Sequence, residues 1–218
     1  MPTREAFHQE LREIEEAVIQ MAALVESAIA RAMQALNRHD PALAEEVIVS
    51  DAAVNDFHRS IRSRCISVMA RQAPMARDLR QLVTVQLVIS ELERMGDHAA
   101  GVAKQVAHMS QAQIQPEMGD IEELALLVRE QVRDGIQSFV DVNVRQARDV
   151  AQRDDEIDHR YRQLFTRLLD RMAHDAGLIQ DATSLLFVVH DLERIGDRVT
   201  NICEDVIYMV TGEIEDLN

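Results

Sequence analysis

Apolar residues recur along this chain at alternating spacings of three and four, the pattern of helices that bury one face. The clearest run is Leu82, Val85, Ile89, Leu92, Gly96, Ala99, Ala103 and Val106. It returns later as Ala182, Leu185, Val189, Leu192, Gly196, Val199, Cys203 and Val206. Such a stripe is the seam of a packed helix bundle. Breaks between helices are few. Asp40-Pro41 reads as an N-cap and first helical residue, and Asn143 as a second N-cap. Pro74, the Ile114-to-Asp120 stretch with Pro116 and Gly119, and Asp175-Ala176-Gly177 read as turns. Helices are therefore predicted over about 4–38, 41–72, 75–110, 118–141, 143–174 and 178–211, with no competing strand pattern.

The chain is also an internal duplication. A shift of 103 places Val18, Met21, Leu24, Val25 and Val47 on Ile121, Leu124, Leu127, Val128 and Val150. The same shift places Asp51, Val54, Ile61 and Cys65 on Asp154, Ile157, Leu164 and Leu168. In the last helix of each unit a shift of 100 places Glu93-Arg94-Met95-Gly96-Asp97 on Glu193-Arg194-Ile195-Gly196-Asp197. The three residues of difference fit in the turn before that helix. The predicted fold is thus all-α: six long helices forming two tandem three-helix bundles, residues 1–112 and 113–218. The two bundles are expected end to end about a pseudo-twofold axis.

Composition sharpens this picture. Of the 218 residues 47% are hydrophobic but only 3% aromatic, with no Trp, so the core must be built from aliphatic residues and Met. That favours helix on helix over a β-sandwich. Cys65 and Cys203 fall on apolar stripes and read as core rather than as ligands or a disulfide. The formal net charge of −15 would repel nucleic-acid phosphates, so no nucleic-acid partner is expected. Met1 to Glu5 carry no apolar leader, and no apolar run approaches the ~18 residues a membrane span needs. A cytoplasmic protein without direct membrane insertion is expected.

The candidate chemistry is carboxylate. Glu93 and Asp97 are four apart, as are Glu193 and Asp197, so each pair shares a helix face. The preceding helix offers Asp154 with Asp158 in the second unit, and Asp51 with Asn55 in the first. In an antiparallel hairpin, facing residues have a constant sum of residue numbers. Asp154 with Asp197, and Asp158 with Glu193, both total 351, which centres on the Asp175–Ala176 turn. Asp51 with Asp97, and Asn55 with Glu93, both total 148, which centres on Pro74. The acidic pairs should therefore sit level on neighbouring helices in both units. Clustered carboxylates cannot all stay ionised alone. Bound cations, neutralisation by Arg94 and Arg194, or raised pKa values would each resolve the conflict. Oxygen-only ligands suit hard cations, or carboxylate-bound iron or manganese, with zinc a further candidate. In the second unit Asn201 and Glu204 extend the row, whereas the first has Gly101 and Lys104 there. The candidate metal set is Asp51, Glu93, Asp97, Asp154, Asp158, Glu193, Asp197, Asn201 and Glu204. Gly96 and Gly196, inside helices, mark a close approach of neighbouring helices.

The segments L-E-R-M-G-D-H-A at 92–99 and L-E-R-I-G-D-R-V-T-N-I at 192–202 resemble the signature of the PhoU family. Pro74-Met75-Ala76-Arg77-Asp78-Leu79-Arg80 resembles that family's lead into its third helix. The likeness covers nearly the whole chain. It implies a cytoplasmic, non-enzymatic accessory protein of the phosphate ABC transporter. Such a protein restrains phosphate uptake and helps keep phosphate-starvation two-component signalling off. The implied partners are the transporter's ATPase and a phosphate-sensing histidine kinase, and metal clusters occur on some members' E/D-x-x-x-D motifs. A homodimer is expected.

Two rival readings remain at this point. A carboxylate-bridged di-iron enzyme would use Glu-x-x-His motifs, offered here by Glu5 with His8 and by Glu156 with His159. A plain interaction bundle would carry its acidic rows salt-bridged or solvated. His98 follows Asp97 and could join a site, although an exposed or capping role is the simpler expectation.

Overall fold

The computed structural model describes residues 4–109 and 115–217, and among them no strand occurs. Helix α1 is Arg4–Arg38, α2 Pro41–Gln72, α3 Arg77–Gln105 and α4 Gln115–Val140. Helix α5 is Val144–Ala151, α6 Asp154–His174 and α7 Ile179–Thr211, with single 3-10 turns at Val106–His108 and Ala176–Leu178. The caps read from the sequence are present. Asp40 accepts from the N–H groups of Ala42 and Leu43, and Asn143 accepts from that of Gln146. Each of these caps is preceded by a residue forced into the left-handed region, His39 at φ 48 and Val142 at φ 55. The two turns are thus equivalent in backbone as well as in sequence.

Two boundaries differ from expectation. The break expected from Ile114 to Asp120 is shorter, because α4 already begins at Gln115. Pro116 lies in its first turn, where a missing N–H leaves no helical bond unmade, and Gly119 lies inside the helix. The unit boundary at 112/113 lies outside the described residues. The helix expected over 143–174 is interrupted. Gln152 and Arg153 keep right-handed dihedrals, but the Arg153 N–H bonds Val150 O, three residues back, and helical bonding restarts at Asp154. Arg153 is held across this step by Asp134 of α4, at 2.6 Å. Asp154 therefore opens a helix, whereas its counterpart Asp51 lies within the unbroken α2.

Both predicted seams are buried along their whole length, and Cys65 and Cys203 are buried free thiols within the core. Burial pushes those thiols up to about 11 and about 12. Helix α1 packs on α2 and α3, and α4 packs on α5, α6 and α7. The units lie side by side rather than end to end, because α3 packs along α7 and α1 along α4. Arg80 bonds Met209 O, Thr84 bonds Asp205 O, and Gln180 bonds His108 O. Residue numbers across this seam total 288 or 289, so α3 and α7 run antiparallel over nearly their full length. The reason is a second buried stripe, Thr84, Val88, Met95 and Val102 on α3, repeated as Ser184, Val188, Ile195 and Ile202 on α7. A helix with one apolar stripe serves one bundle. These two helices carry a further stripe and serve the joint as well.

Candidate metal centre

The hairpin argument places the second unit's acids correctly. Asp154 and Asp158 of α6 and Asp197 of α7 each present a carboxylate oxygen within 4.8 Å of the others. Glu193 stands beside them, close enough for Asp197, Asp158 and Asp154 to raise its pKa. Burial is the larger cause, and together they push Glu193 from 4.5 up to about 7. Asp154 is pushed from 3.8 up to about 6, first by burial and then by Asp197 and Asp158, against a hydrogen bond from Gln131. Asp197 is raised by burial despite Arg194. Two arginines partly balance the cluster: Arg194 bonds Asp197, and Arg162 lies 2.7 Å from Asp158. Arg94, the first unit's equivalent of Arg194, turns instead to Glu91.

Gly196 explains how the carboxylates come so close. A Cβ there would lie 2.9 Å from Asp154 Oδ1, and at Gly96 it would lie 3.0 Å from Asp51 Oδ1. In both units the glycine leaves room for a carboxylate against the facing helix, which is the functional sense of its position in the motif. The first site is the thinner one. Asp51 is raised by burial and by Asp97, but it accepts a 2.8 Å bond from Asn55 and is drawn down by Lys104. Glu93 is half-buried nearby on α3, and Asp97 is exposed.

Asn201 and Glu204 do not join the group. The Asn201 amide donates to Glu91 of α3 at 3.3 Å, and Glu204 accepts the Leu217 N–H at 2.9 Å. His98 neither joins the site nor caps a helix. Its Nδ1 lies 2.9 Å from Asp191 of α7, at the joint between the units. Gly101 leaves the space for Asp191, since a Cβ there would meet its carboxylate. The Glu-x-x-His pairs are elsewhere too. Glu156 pairs with Arg160, His159 bonds Gln163, and Glu5 is exposed.

The residue that sequence reasoning missed is Gln131 of α4. It is 1% exposed, and its amide donates to Asp154 Oδ1 at 3.2 Å. Its signal was a polar residue on an apolar stripe, three beyond Val128, where the first unit has Ala28. Its Oε1 is buried without a hydrogen-bond partner, as are Glu193 Oε2 and, at the first site, Asp51 Oδ1. The His190 ring stands 3.7 Å from that Glu193 oxygen, too long for a hydrogen bond. Buried acceptors in need of a donor or cation, in an all-oxygen set, are the chemistry a hard divalent ion satisfies.

Comparison with known proteins places this arrangement. The PhoU domain model matches twice, at residues 18–106 and 121–206. The starts of the two matches are offset by 103 and their ends by 100, as in the repeat read from the sequence. A Clostridium acetobutylicum protein named phosphate-specific transport system accessory protein PhoU homolog is 35% identical, over 99% of each chain. An Aquifex aeolicus protein of the same name is 36% identical, over 94% of this chain and 93% of its own. The solved PhoU of Pseudomonas aeruginosa superposes with a TM-score of 0.90 at 30% identity, covering 95% of this chain and all of that one. The phosphate transport system regulatory protein PhoU of Streptococcus pneumoniae does so at 0.88 and 31%, covering 96% and 99%. The Clostridium and Aquifex proteins are named as accessory proteins and the Streptococcus protein as a regulatory one.

Proposed function

The chain belongs to the PhoU domain family, and on that premise we propose that it is a cytoplasmic regulator of phosphate uptake. It restrains the phosphate ABC transporter and keeps phosphate-starvation signalling off when phosphate is plentiful. Its partners are the transporter's ATPase and a phosphate-sensing histidine kinase. Near-full-length similarity to proteins named phosphate transport accessory proteins supports this reading. No helix among the described residues is long and apolar enough to cross a membrane, so contact with the membrane runs through the transporter. Deleting the gene should raise phosphate uptake and switch on phosphate-starvation genes in phosphate-rich medium. Unchanged uptake and reporter output would refute it.

The acidic groups hold divalent cations in this reading. Asp154, Asp158, Glu193 and Asp197 form the stronger site, and Asp51, Glu93 and Asp97 the weaker. Iron, manganese and zinc are the candidates. A bound cation supplies positive charge that neutralises the clustered acids and fixes α6 to α7. One observation favours a metal-free alternative, namely that Arg162 and Arg194 already pair with Asp158 and Asp197. Metal analysis of protein purified without chelator or a nickel column separates the two.

A further inference from the structure

Fifteen large apolar side chains are exposed among the described residues, and nine of them sit towards the tips of the α2–α3 and α6–α7 hairpins. That concentration marks a surface rather than scatter. On α3, Leu79, Val83 and Leu87 follow one another at spacings of four. Their equivalents on α7 are Ile179, Thr183 and Phe187. Leu87 is 42% exposed and Phe187 54%. Ile66 of α2 and Leu169 of α6, again equivalent, flank the two stripes and are exposed. Because α3 and α7 run antiparallel, the stripes lie at opposite ends of one face.

The acids lie on that face between them. Leu79 and Asp97, like Ile179 and Asp197, are eighteen residues apart, which is five helical turns and the same side of the helix. In the second unit Tyr161 joins the two regions, its ring 5.8 Å from that of Phe165 and 6.3 Å from that of His190.

We propose that this face docks a homodimeric protein whose two subunits each present an apolar ridge flanked by basic side chains, one copy of this chain per partner dimer. Two stripes related by a twofold axis are matched by a partner that repeats its own contact about the same axis. A second copy of this chain does not fit, since Glu93, Asp97, Glu193 and Asp197 outnumber Arg94 and Arg194 at the centre of the face and would meet their own image. In the cation-free protein a basic partner meets the carboxylates instead, and self-association belongs to other surfaces. The regulatory reading bears on which protein docks, not on its symmetry or charge.

The test uses the full chain in cells grown in phosphate-rich medium. Leu87→p-benzoylphenylalanine and Phe187→p-benzoylphenylalanine are introduced singly, with Leu126→p-benzoylphenylalanine as an exposed control beside α1. Thermal melts check that each variant folds. On irradiation, the Leu87 and Phe187 variants should each capture the same polypeptide, and the control should not capture it. The purified complex should contain two partner subunits per copy of this chain. It should dissociate between about 0.1 and 0.5 M salt. Adducts to two different polypeptides, to a second copy of this chain, or to nothing at either position overturn the proposal. So do capture of that polypeptide by the control, equimolar subunits, and a complex indifferent to salt. If the shared polypeptide lies outside phosphate transport, the docking face stands and the regulatory reading falls. If deletion alters uptake but the two positions share no partner, the reading stands and the docking face falls.

Discussion

Neutralising Asp154 and Glu193 together should remove a pH dependence that the second acidic site builds into the fold. In the folded protein these carboxyls sit at about 6 and about 7 instead of 3.8 and 4.5. Burial is the main cause in both, with neighbouring carboxylates adding to it. A carboxyl whose pKa is raised on folding binds its proton more tightly in the native state than in the unfolded one. Its contribution to stability is therefore complete below about pH 4 and is lost as pH rises through 6 and 7. Each shift is about 2 units, or ~3 kcal/mol undamped. Both groups are partly open to water, and screening reduces this by about half. Between pH 8 and 5.5 most of the Glu193 effect and part of the Asp154 effect return, about 1–2 kcal/mol together.

The assay is urea unfolding in chelator, followed by far-UV circular dichroism at several pH values. Asp154→Asn/Glu193→Gln keeps the side-chain shapes but cannot titrate. The parent should gain about 1–2 kcal/mol more than this variant on acidification from pH 8 to 5.5. With about 1 mM manganese the difference should shrink at pH 7 and above, because the cation takes the role of the proton. Identical pH slopes for parent and variant would refute the account of the site as strained by its own charge.

Two further outcomes follow from the same geometry. Glu193→Ala or Asp197→Ala should remove most of the rise in Tm produced by iron, manganese or zinc, and Glu93→Ala or Asp97→Ala less. Equal losses in melts with matched metal analysis would remove the asymmetry between the sites. Gly196→Ala should likewise cut the metal-dependent rise, since its Cβ would displace Asp154, whereas a Cβ at Gly119 meets nothing within 4 Å. Gly119→Ala should therefore leave metal binding alone and raise stability by up to ~1 kcal/mol, and a loss of metal response there would count against the steric reasoning.

Most of the fold is legible in the sequence because period and punctuation agree. The Asp40 and Asn143 caps sit where their side-chain bonds form, and the residue-number sums bring Asp154, Asp158 and Asp197 together. What escapes has physical causes. The interruption at Gln152–Arg153 keeps helical dihedrals, so no proline or glycine announces it. The destinations of Asn201 and His98 depend on the other unit, which a periodicity within one helix does not contain. Gln131 was hidden for the opposite reason. It occupies a position that the apolar pattern assigns to the core, and it comes from a helix outside the hairpin whose geometry located the site.

The joint between the units shows how a duplicated chain becomes one body. On α3 and α7 the axis passes between Arg94 and Met95 on one side and Arg194 and Ile195 on the other, at the level of the two motifs. Glu91 lies 3.5 Å from Arg198, and the equivalent pair, Asp191 with His98, lies at 2.9 Å. Two identical units could make both of these contacts, because each joins an acid on one copy to a base on the other. Helices α1 and α4 differ. There Glu26 pairs with Arg129 at 3.4 Å, and these two residues are each other's counterparts at a shift of 103. The hollows on either side are lined by further counterparts, Gln34 and Asn37 in one and Gln137 and Val140 in the other. In an exact repeat the axis would set a residue against itself, so any charge there would face a like charge. The ion pair at this position requires the two halves to differ. The same divergence gives the second unit Asp158 and Gln131 where the first has Asn55 and Ala28. Unequal halves thus account both for the pairing at the axis and for an acidic cluster that is fuller on one side than on the other.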